Sequence, residues 1–308
     1  MTRILITGAA GMVGRALLDE LADQTVCATD LTRPDPLPPN VSFHRMDITS
    51  DDPDRVIAEM RPEAIVHLAS IVTPGMGREA AYRVDVDGTR KVLDSALTQG
   101  VRRLVVTSSG AAYGYHADNP VPLRETDPLR GNPEFPYSDH KRQVEDLLAK
   151  ARQTAPQLEQ IVLRVGTVLG DGTENQITAL FHKPRLLAVT GSDSPFVFIW
   201  TRDLARILKR AATDGPPGIY NVAGDGAMGV NDLARALGKP VLRVPAWALK
   251  AALAVARPLG LTRYGPEQVR FLQYRPVLTN DALKSEFGYT PEKTSAQAFD
   301  HWKRQAGL

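Results

Sequence analysis

The chain has 308 residues, of which 43% are hydrophobic, and its 37 Lys and Arg against 35 Asp and Glu give a net charge of +2. This length suits one large α/β domain with a smaller appended part, and the even charge balance predicts neither a nucleic-acid nor a membrane partner. The single cysteine, Cys27, excludes an intrachain disulfide. Because the chain starts on a strand pattern without a charged, apolar leader, we expect a cytoplasmic protein.

The first segment combines a short apolar strand, a glycine-rich turn and a helical pattern. Residues 3–7 suit a buried parallel strand, and residues 12–22 read as a helix. The first glycine of the turn permits its tight geometry, the second lets a pyrophosphate approach the backbone, and the third lets the helix pack closely on the strand. The helix N-terminus then offers N–H groups to phosphates. The pattern predicts dinucleotide contacts from Gly8, Gly11, Met12, Val13 and Gly14.

The second strand, residues 25–29, is followed by Asp30. An acidic side chain about 20 residues beyond the first glycine would hydrogen-bond the adenosine ribose and repel a 2′-phosphate, so we predict NAD rather than NADP. Arg15 and Arg33 keep NADP open as the less favoured cofactor. The alternative for Asp30 is a turn former before Pro34.

Further strands and helices alternate along the chain. Apolar strand patterns and helical patterns are predicted as follows: strands over 64–68, 103–107 and 160–165, and helices over 52–60, 78–99 and 138–154. This alternation predicts an α/β fold, a doubly wound parallel sheet of the Rossmann type with a smaller C-terminal substrate-binding region. We expect residues 1–170 to bind the dinucleotide and 171–308 mainly to bind substrate, with some segments returning to the Rossmann core. The apolar stretch 246–259 is too short to span a membrane and is predicted to be a packed helix.

Tyr137 and Lys141 lie four residues apart, so on a helix they face one pocket. A cation near a phenol moves its pKa down from about 10, which would let Tyr137 accept a proton from a substrate alcohol as hydride leaves its carbon. The same spacing also occurs by chance on exposed helix faces. His140 beside Lys141 is expected to be exposed rather than catalytic.

Together these segments resemble the extended short-chain dehydrogenase/reductase family, which includes nucleotide-sugar epimerases and dehydratases. The resemblance covers nearly the whole length and includes the segments 46–48, 67–70, 107–114, 163–170 and 198–203. It implies that Ser109 joins Tyr137 and Lys141 as the catalytic group. It also implies cofactor contacts from Asp47, Ile48, Leu68, Ala69, Ser70, Thr107, Tyr137, Lys141 and Thr167. No metal site is predicted.

The chain departs from the family pattern at several places. Asp85 stands where Asn is usual, so the structural tie made by that amide is in doubt. Trp200 replaces a common His and cannot titrate. Gly110-Ala111 stands where dehydratases usually carry Asp-Glu, which makes dehydration improbable.

These features predict an NAD-dependent oxidoreductase that acts on a secondary alcohol or ketone of a sugar-like or other small substrate. The stretch from Gly170 to Arg202 is short for a nucleotide-sugar enzyme, and Arg185 and Arg275 are both expected to be solvated surface residues. Nucleotide-sugar 4-epimerase is therefore the alternative. A non-catalytic dinucleotide-sensing regulator is a third possibility, which the intact Tyr137 and Lys141 disfavour.

The family resemblance also implies a homodimer, formed by pairing the helices predicted over 78–99 and 138–154. Its apolar surface would come from Val84, Val92, Leu93, Val144, Leu147 and Leu148. The alternative is that these residues face their own sheet, because helical periodicity does not separate one apolar face from two.

Overall fold

The computed structural model describes residues 2–71, 77–262 and 264–308. Seven strands form one central sheet: β1 (Arg3–Thr7), β2 (Thr25–Asp30), β3 (Val41–Arg45), β4 (Ala64–His67), β5 (Arg103–Ser109), β6 (Glu159–Val165) and, later in the chain, β10 (Gly218–Val222). Their order is β3-β2-β1-β4-β5-β6-β10, and all neighbours run parallel. The predicted doubly wound sheet is confirmed.

Two smaller parallel pairs lie outside this sheet, β7 (Thr167–Leu169) with β9 (Phe198–Trp200), and β8 (Leu186–Val189) with β11 (Val241–Val244). The α-helices are α1 (Met12–Glu20), α2 (Asp52–Met60), α3 (Arg78–Tyr82), α4 (Thr89–Thr98), α5 (Pro136–Thr154), α6 (Thr178–Phe181), α7 (Thr201–Thr213), α8 (Val230–Leu237), α9 (Ala246–Ala256), α10 (Gln268–Gln273), α11 (Asp281–Ser285) and α12 (Ser295–Gln305). A π-helical turn, Arg83–Gly88, joins α3 to α4, and a 3-10 turn, Gly110–Tyr113, follows β5.

Helices cover both faces of the central sheet, which is why its strands are apolar along their length. Successive side chains of a strand point to opposite faces. Ile4 and Ile6 accordingly pack into the core shared with α1 and α7, whereas Leu5 packs into the core shared with α2, α4 and α5. Strand β10 and helix α7 come from beyond residue 170 and still belong to this body. The proposed boundary between a dinucleotide region and a substrate region stays a prediction.

The predicted dimer surface is largely occupied within the protomer. Four of its residues are buried in the core of their own sheet, namely Val92, Leu93, Val144 and Leu148. Val84 and Leu147 are only partly buried. The assignment of the four buried residues to a dimer surface is therefore wrong, and the homodimer itself stays a prediction.

Helix α9 lies where the sequence predicts a packed helix, but it is only partly covered. None of its eleven residues, all within the described part of the chain, is buried. Among the residues that the structure describes, no helix is long and apolar enough to cross a membrane.

Candidate active site

The glycine turn between β1 and α1 leaves no room for side chains at two of its glycines. A Cβ on Gly8, whose φ is +71°, would lie 2.7 Å from the Ala69 backbone nitrogen, and a Cβ on Gly14 would lie 2.5 Å from the Gly8 carbonyl oxygen. Gly11 forms the N-cap of α1 and offers no side chain to its N–H groups. This bare backbone at a helix N-terminus fits a pyrophosphate.

Asp30 ends β2 with its carboxylate turned toward the glycine turn. Its Oδ2 accepts a hydrogen bond from the Ala10 backbone N–H at 2.9 Å, and its Oδ1 accepts one from Leu31 at 2.7 Å. Each carboxylate oxygen keeps a lone pair for a further donor. Arg15 donates to the Ala10 carbonyl at 3.0 Å, so its guanidinium is held beside the same turn. The site therefore offers both the carboxylate that NAD needs and a cation within reach.

We expect the native protein to bind NAD much more tightly than NADP, and Asp30→Ala to narrow that gap, because the substitution removes both the ribose acceptor and the charge that repels a 2′-phosphate. Titration calorimetry with both nucleotides measures the two affinities. Arg15→Gln is the matched control. It should lower the affinity for NADP more than the affinity for NAD. Equal affinities in the native protein would contradict the role proposed for Asp30.

The other predicted cofactor residues lie along the carboxyl edge of the same sheet. Met12 and Val13 open α1, Asp47 and Ile48 follow β3, Leu68, Ala69 and Ser70 follow β4, Thr107 lies near the end of β5, and Thr167 follows β6. Ile48 is buried, while Asp47 is half-buried and accepts hydrogen bonds from Thr49. Neighbouring strand ends meet at this edge, which is where such sheets bind ligands.

The structure brings the three predicted catalytic residues together. Ser109 ends β5, and its hydroxyl accepts a hydrogen bond from the Ala111 N–H at 3.1 Å. Tyr137 lies in the first turn of α5 and hydrogen-bonds the Ser109 side chain. The Lys141 ammonium lies 5.8 Å from the centre of the Tyr137 ring and donates to the Thr107 carbonyl at 3.0 Å.

The pKa values of Tyr137 and Lys141 are governed by burial. Burial raises the pKa of Tyr137, and the hydrogen bond from Ser109 opposes the rise. Burial lowers the pKa of Lys141, while the charges of Asp85 and Glu145 act in the opposite direction. The expectation that Lys141 brings the Tyr137 pKa below its ordinary value is therefore wrong for this structure, because desolvation of the phenolate and the negative charge of Asp85 both raise that pKa.

Asp85 restores the structural tie that its replacement of Asn put in doubt. Its Oδ1 accepts hydrogen bonds from Ser70 and from the Ile71 N–H, both at 2.8 Å, and its Oδ2 lies 3.0 Å from His140 Nδ1. A carboxylate only accepts, so Nδ1 carries the hydrogen. Burial alone would raise the pKa of Asp85, but His140 and the charge of Lys141 outweigh it, and the pKa lies below its usual range.

His140 is only 1% exposed, so the expectation of an exposed histidine is wrong. It lies in α5 between Tyr137 and Lys141, and through it the catalytic helix is joined to the π-helical turn that carries Asp85. The aspartate at position 85, where Asn is usual, indicates from the sequence that this contact differs, but only the structure identifies His140 as its partner.

A buried ion pair, absent from the sequence-based prediction, lies behind the catalytic strand. Arg164 on β6 donates to Glu145 on α5 through Nε and Nη2, at distances of 2.7 to 3.0 Å. Ser108 donates to the same carboxylate at 2.5 Å, and Arg164 also donates to the Tyr113 hydroxyl at 2.8 Å. Burial opposes the charge of Arg164, but Glu145 and Tyr113 outweigh it and raise the pKa of the guanidinium. The pair ties α5 to the strands that carry the site.

Arg275 is half-buried with its guanidinium between aromatic rings, so the expectation of a solvated surface residue is wrong. Its guanidinium carbon lies 3.8 Å from the centre of the Phe196 ring and 4.7 Å from that of Phe271. It donates to the Ser194 carbonyl at 2.5 Å, while its Nε has no hydrogen-bond partner within the described part of the chain. Burial lowers the pKa of Arg275 to about 9, and Tyr115 opposes that change.

A cavity of about 70 Å³ adjoins this guanidinium, and it is also lined by three exposed charged residues, Lys183, Arg185 and Asp193. The exposure of Arg185 agrees with the expectation for that residue. A buried cation that lacks a full set of partners favours an anion in its neighbourhood. Phe271 lies four residues before Arg275, but Phe196 is far from both in the sequence, so no local motif predicts this contact.

Comparison with known proteins places these features in one family. The model of the NAD dependent epimerase/dehydratase family matches residues 4–223. A UDP-glucose 4-epimerase from Azospirillum brasilense is 33% identical over 177 residues, covering 54% of this chain and 49% of that protein. An uncharacterized Mycobacterium tuberculosis protein is 26% identical over 316 residues, covering 99% of this chain and 84% of that one.

Solved structures share the fold. The UDP-glucose 4-epimerase of Thermus thermophilus, solved with NAD, has a TM-score of 0.75 and 22% identity, covering 98% of both chains. The dTDP-glucose 4,6-dehydratase of Bacillus anthracis, also solved with NAD, has a TM-score of 0.76 and 19% identity, covering 100% of this chain and 97% of that one.

Proposed function

This chain belongs to the NAD dependent epimerase/dehydratase family, and we propose that it moves hydride between NAD and a secondary alcohol or ketone of a sugar-like substrate. Membership in this family confirms three predictions: that the protein is an enzyme, that it belongs to the extended short-chain dehydrogenase/reductase family, and that its cofactor is NAD. When bound, NAD supplies the hydride acceptor or donor. The observation that carries the proposal is the meeting of Ser109, Tyr137 and Lys141 at the same carboxyl edge of the sheet as the glycine turn.

The proposed chemistry assigns one task to each side chain. The Ser109 hydroxyl would hydrogen-bond the reacting oxygen, and Tyr137 Oη would take the alcohol proton during oxidation and return it during reduction. Lys141 would hold the cofactor ribose, and its charge favours the phenolate. Gly8, Gly14 and Asp30 would hold the pyrophosphate and the adenosine ribose.

Net dehydrogenation is our first choice, because these three residues complete it without a further acid or base. Arg275 supplies a specific reason to keep nucleotide-sugar 4-epimerase as the second candidate. Its guanidinium lies beside a cavity that Lys183, Arg185 and Asp193 also line, and the three cations together suit a phosphate group on the substrate. The A. brasilense relative is named as such an epimerase.

We expect NADH to accumulate when the enzyme and NAD are given a suitable secondary alcohol, drawn from a panel of sugars, sugar phosphates and UDP-glucose. NADH absorbance measures oxidation, and proton NMR of the product sugar detects inversion. Inversion of UDP-glucose at C4 without accumulation of NADH would show that the protein is an epimerase and would contradict the dehydrogenase proposal.

Arg275→Met tests the anion site in the same assay. It keeps most of the side-chain volume between the rings but removes the charge, so KM should rise for phosphate-bearing substrates and stay unchanged for neutral ones. NAD binding without turnover of any member of the panel would favour a dinucleotide-sensing regulator.

A further inference from the structure

Helix α9 and the turn after it, residues 246–261, form an exposed apolar surface that we call the α9 surface. Trp247, Val255, Leu259 and Leu261 are 75%, 62%, 66% and 76% exposed. The N–H of Leu261 donates to the Ala256 carbonyl at 3.0 Å, so the turn folds back against the end of the helix. A helix that is apolar all round is ordinarily buried, and a contiguous exposed apolar patch marks an interaction site.

The inner side of α9 is only loosely attached to the body. Leu249 and Leu253 face inward and line an apolar cavity of about 150 Å³, together with side chains such as Phe271 and Leu180. The outer side therefore has no role in the protomer core. Its exposed tryptophan is of the type that favours the boundary between water and an apolar phase.

The segment of sequence that carries the α9 surface contains basic residues and no acidic ones. In the sequence, every charged residue between Asp232 and Glu267 is basic: Arg235, Lys239, Arg243, Lys250, Arg257 and Arg263, the last lying outside the described residues. Lys250 and Arg257 are seven residues apart and therefore lie on the same side of α9, and both are exposed. Arg257 also lies 3.4 Å from Glu267, in a pair that is itself partly exposed.

We propose that the α9 surface docks on an anionic lipid membrane, with α9 lying in the plane of the interface. Exposed tryptophan favours the boundary between water and the bilayer, and the nearby lysine and arginine side chains are attracted to anionic lipid headgroups. The helix would lie on the bilayer, since it is too short to cross it. A second copy of the chain is a poorer occupant, because pairing two α9 surfaces would bring their basic residues together with no acidic partner from this segment.

Tryptophan fluorescence provides a direct measurement. Trp200 and Trp302 are 7% and 2% exposed, so Trp247 is the exposed tryptophan of the described chain. On addition of vesicles of phosphatidylcholine mixed with phosphatidylglycerol, emission should shift to the blue as Trp247 enters the interface. Vesicle flotation of the full chain should show binding at least about tenfold stronger than to phosphatidylcholine alone, and added salt should weaken it.

Two double variants separate the apolar and electrostatic contributions. Trp247→Ser with Leu259→Ser should weaken flotation at least about tenfold, and Arg243→Gln with Lys250→Gln should remove most of the preference for the anionic vesicles. Val121→Ser and Arg55→Gln are matched controls, because Val121 and the Arg55 side chain are 73% and 60% exposed elsewhere on the protein. Both controls should bind as the native protein does.

Absence of binding to the anionic vesicles would overturn the proposal, as would equal binding to both vesicle types. Light scattering on the Trp247 and Leu259 variant provides a further test. A native dimer that this variant converts to a monomer would show that a second copy covers the α9 surface, and would also overturn the proposal. Thermal unfolding of each variant verifies that these exposed positions leave the fold intact.

Discussion

Replacement of Tyr137 by Phe is expected to lower turnover by roughly 10²–10⁴ while changing NAD affinity little. The phenylalanine keeps the ring and its packing in the first turn of α5 but removes the atom that would exchange the proton. Steady-state kinetics on a verified substrate, with NAD binding measured by calorimetry, separates the two effects. Tyr220→Phe on the edge strand β10 removes a hydroxyl far from the site and should retain the native rate. If Tyr137→Phe kept more than about half of the native rate, the proposed chemistry would be wrong.

The neighbouring substitutions should give different signatures. Lys141→Met should lower turnover and also lower the affinity for NAD, because the ammonium is proposed to contact the ribose. Ser109→Ala should cost about 2–4 kcal/mol of transition-state stabilisation at most, the magnitude of one lost hydrogen bond to the reacting oxygen. Burial raises the pKa of Tyr137, so alcohol oxidation should rise with pH, and Lys141→Met should move that rise to still higher pH.

Replacement of Arg164 by Met is expected to lower the free energy of unfolding by about 3–5 kcal/mol, because it leaves the Glu145 carboxylate buried without its cation. The two side chains are 5% and 3% exposed, with 2.7 Å between Arg164 Nη2 and Glu145 Oε2. Urea denaturation followed by circular dichroism measures the change.

The double replacement Glu145→Leu with Arg164→Met should cost much less than Arg164→Met alone, since it removes both charges from the interior. Arg55→Met is the matched control, because Arg55 and Asp52 form a pair 2.8 Å apart in which the Arg55 side chain is 60% exposed. Such surface pairs contribute about 0–1 kcal/mol. A loss from Arg164→Met no larger than that of this control would contradict the proposed role of the buried pair.

The sequence predicts the longer apolar strands of the central sheet, and it misses the edge strand β3. Strand β3 lies at the edge of the sheet, and none of the residues from Val41 to Arg45 is fully buried, so its apolar signal is weak. The helix predicted over 78–99 is interrupted by the π-helical turn, which no hydrophobic period reveals. For α9, apolarity predicted burial, but burial needs a covering surface that the protomer does not supply.

In the candidate site, some features follow from local sequence and others depend on the fold. Local spacing suffices to predict the glycine turn and the Tyr137–Lys141 pair, because each depends on residues within a few positions of one another. The environment of Arg275 depends on Phe196 and Phe271, which only the fold brings together. The Tyr137 pKa likewise depends on desolvation, a property of the whole pocket rather than of its motif.

The contact between Asp85 and His140 makes the residue type at each position depend on the residue type at the other. An asparagine at 85 with His140 retained would lose the buried negative charge opposite the imidazole, and a change of His140 alone would leave a buried carboxylate short of a donor. Substitutions at 85 and 140 should therefore covary among relatives, although 55 residues separate them in the chain. Residue 140, which no catalytic motif specifies, would then distinguish the lineages that carry aspartate at position 85 from those that carry asparagine.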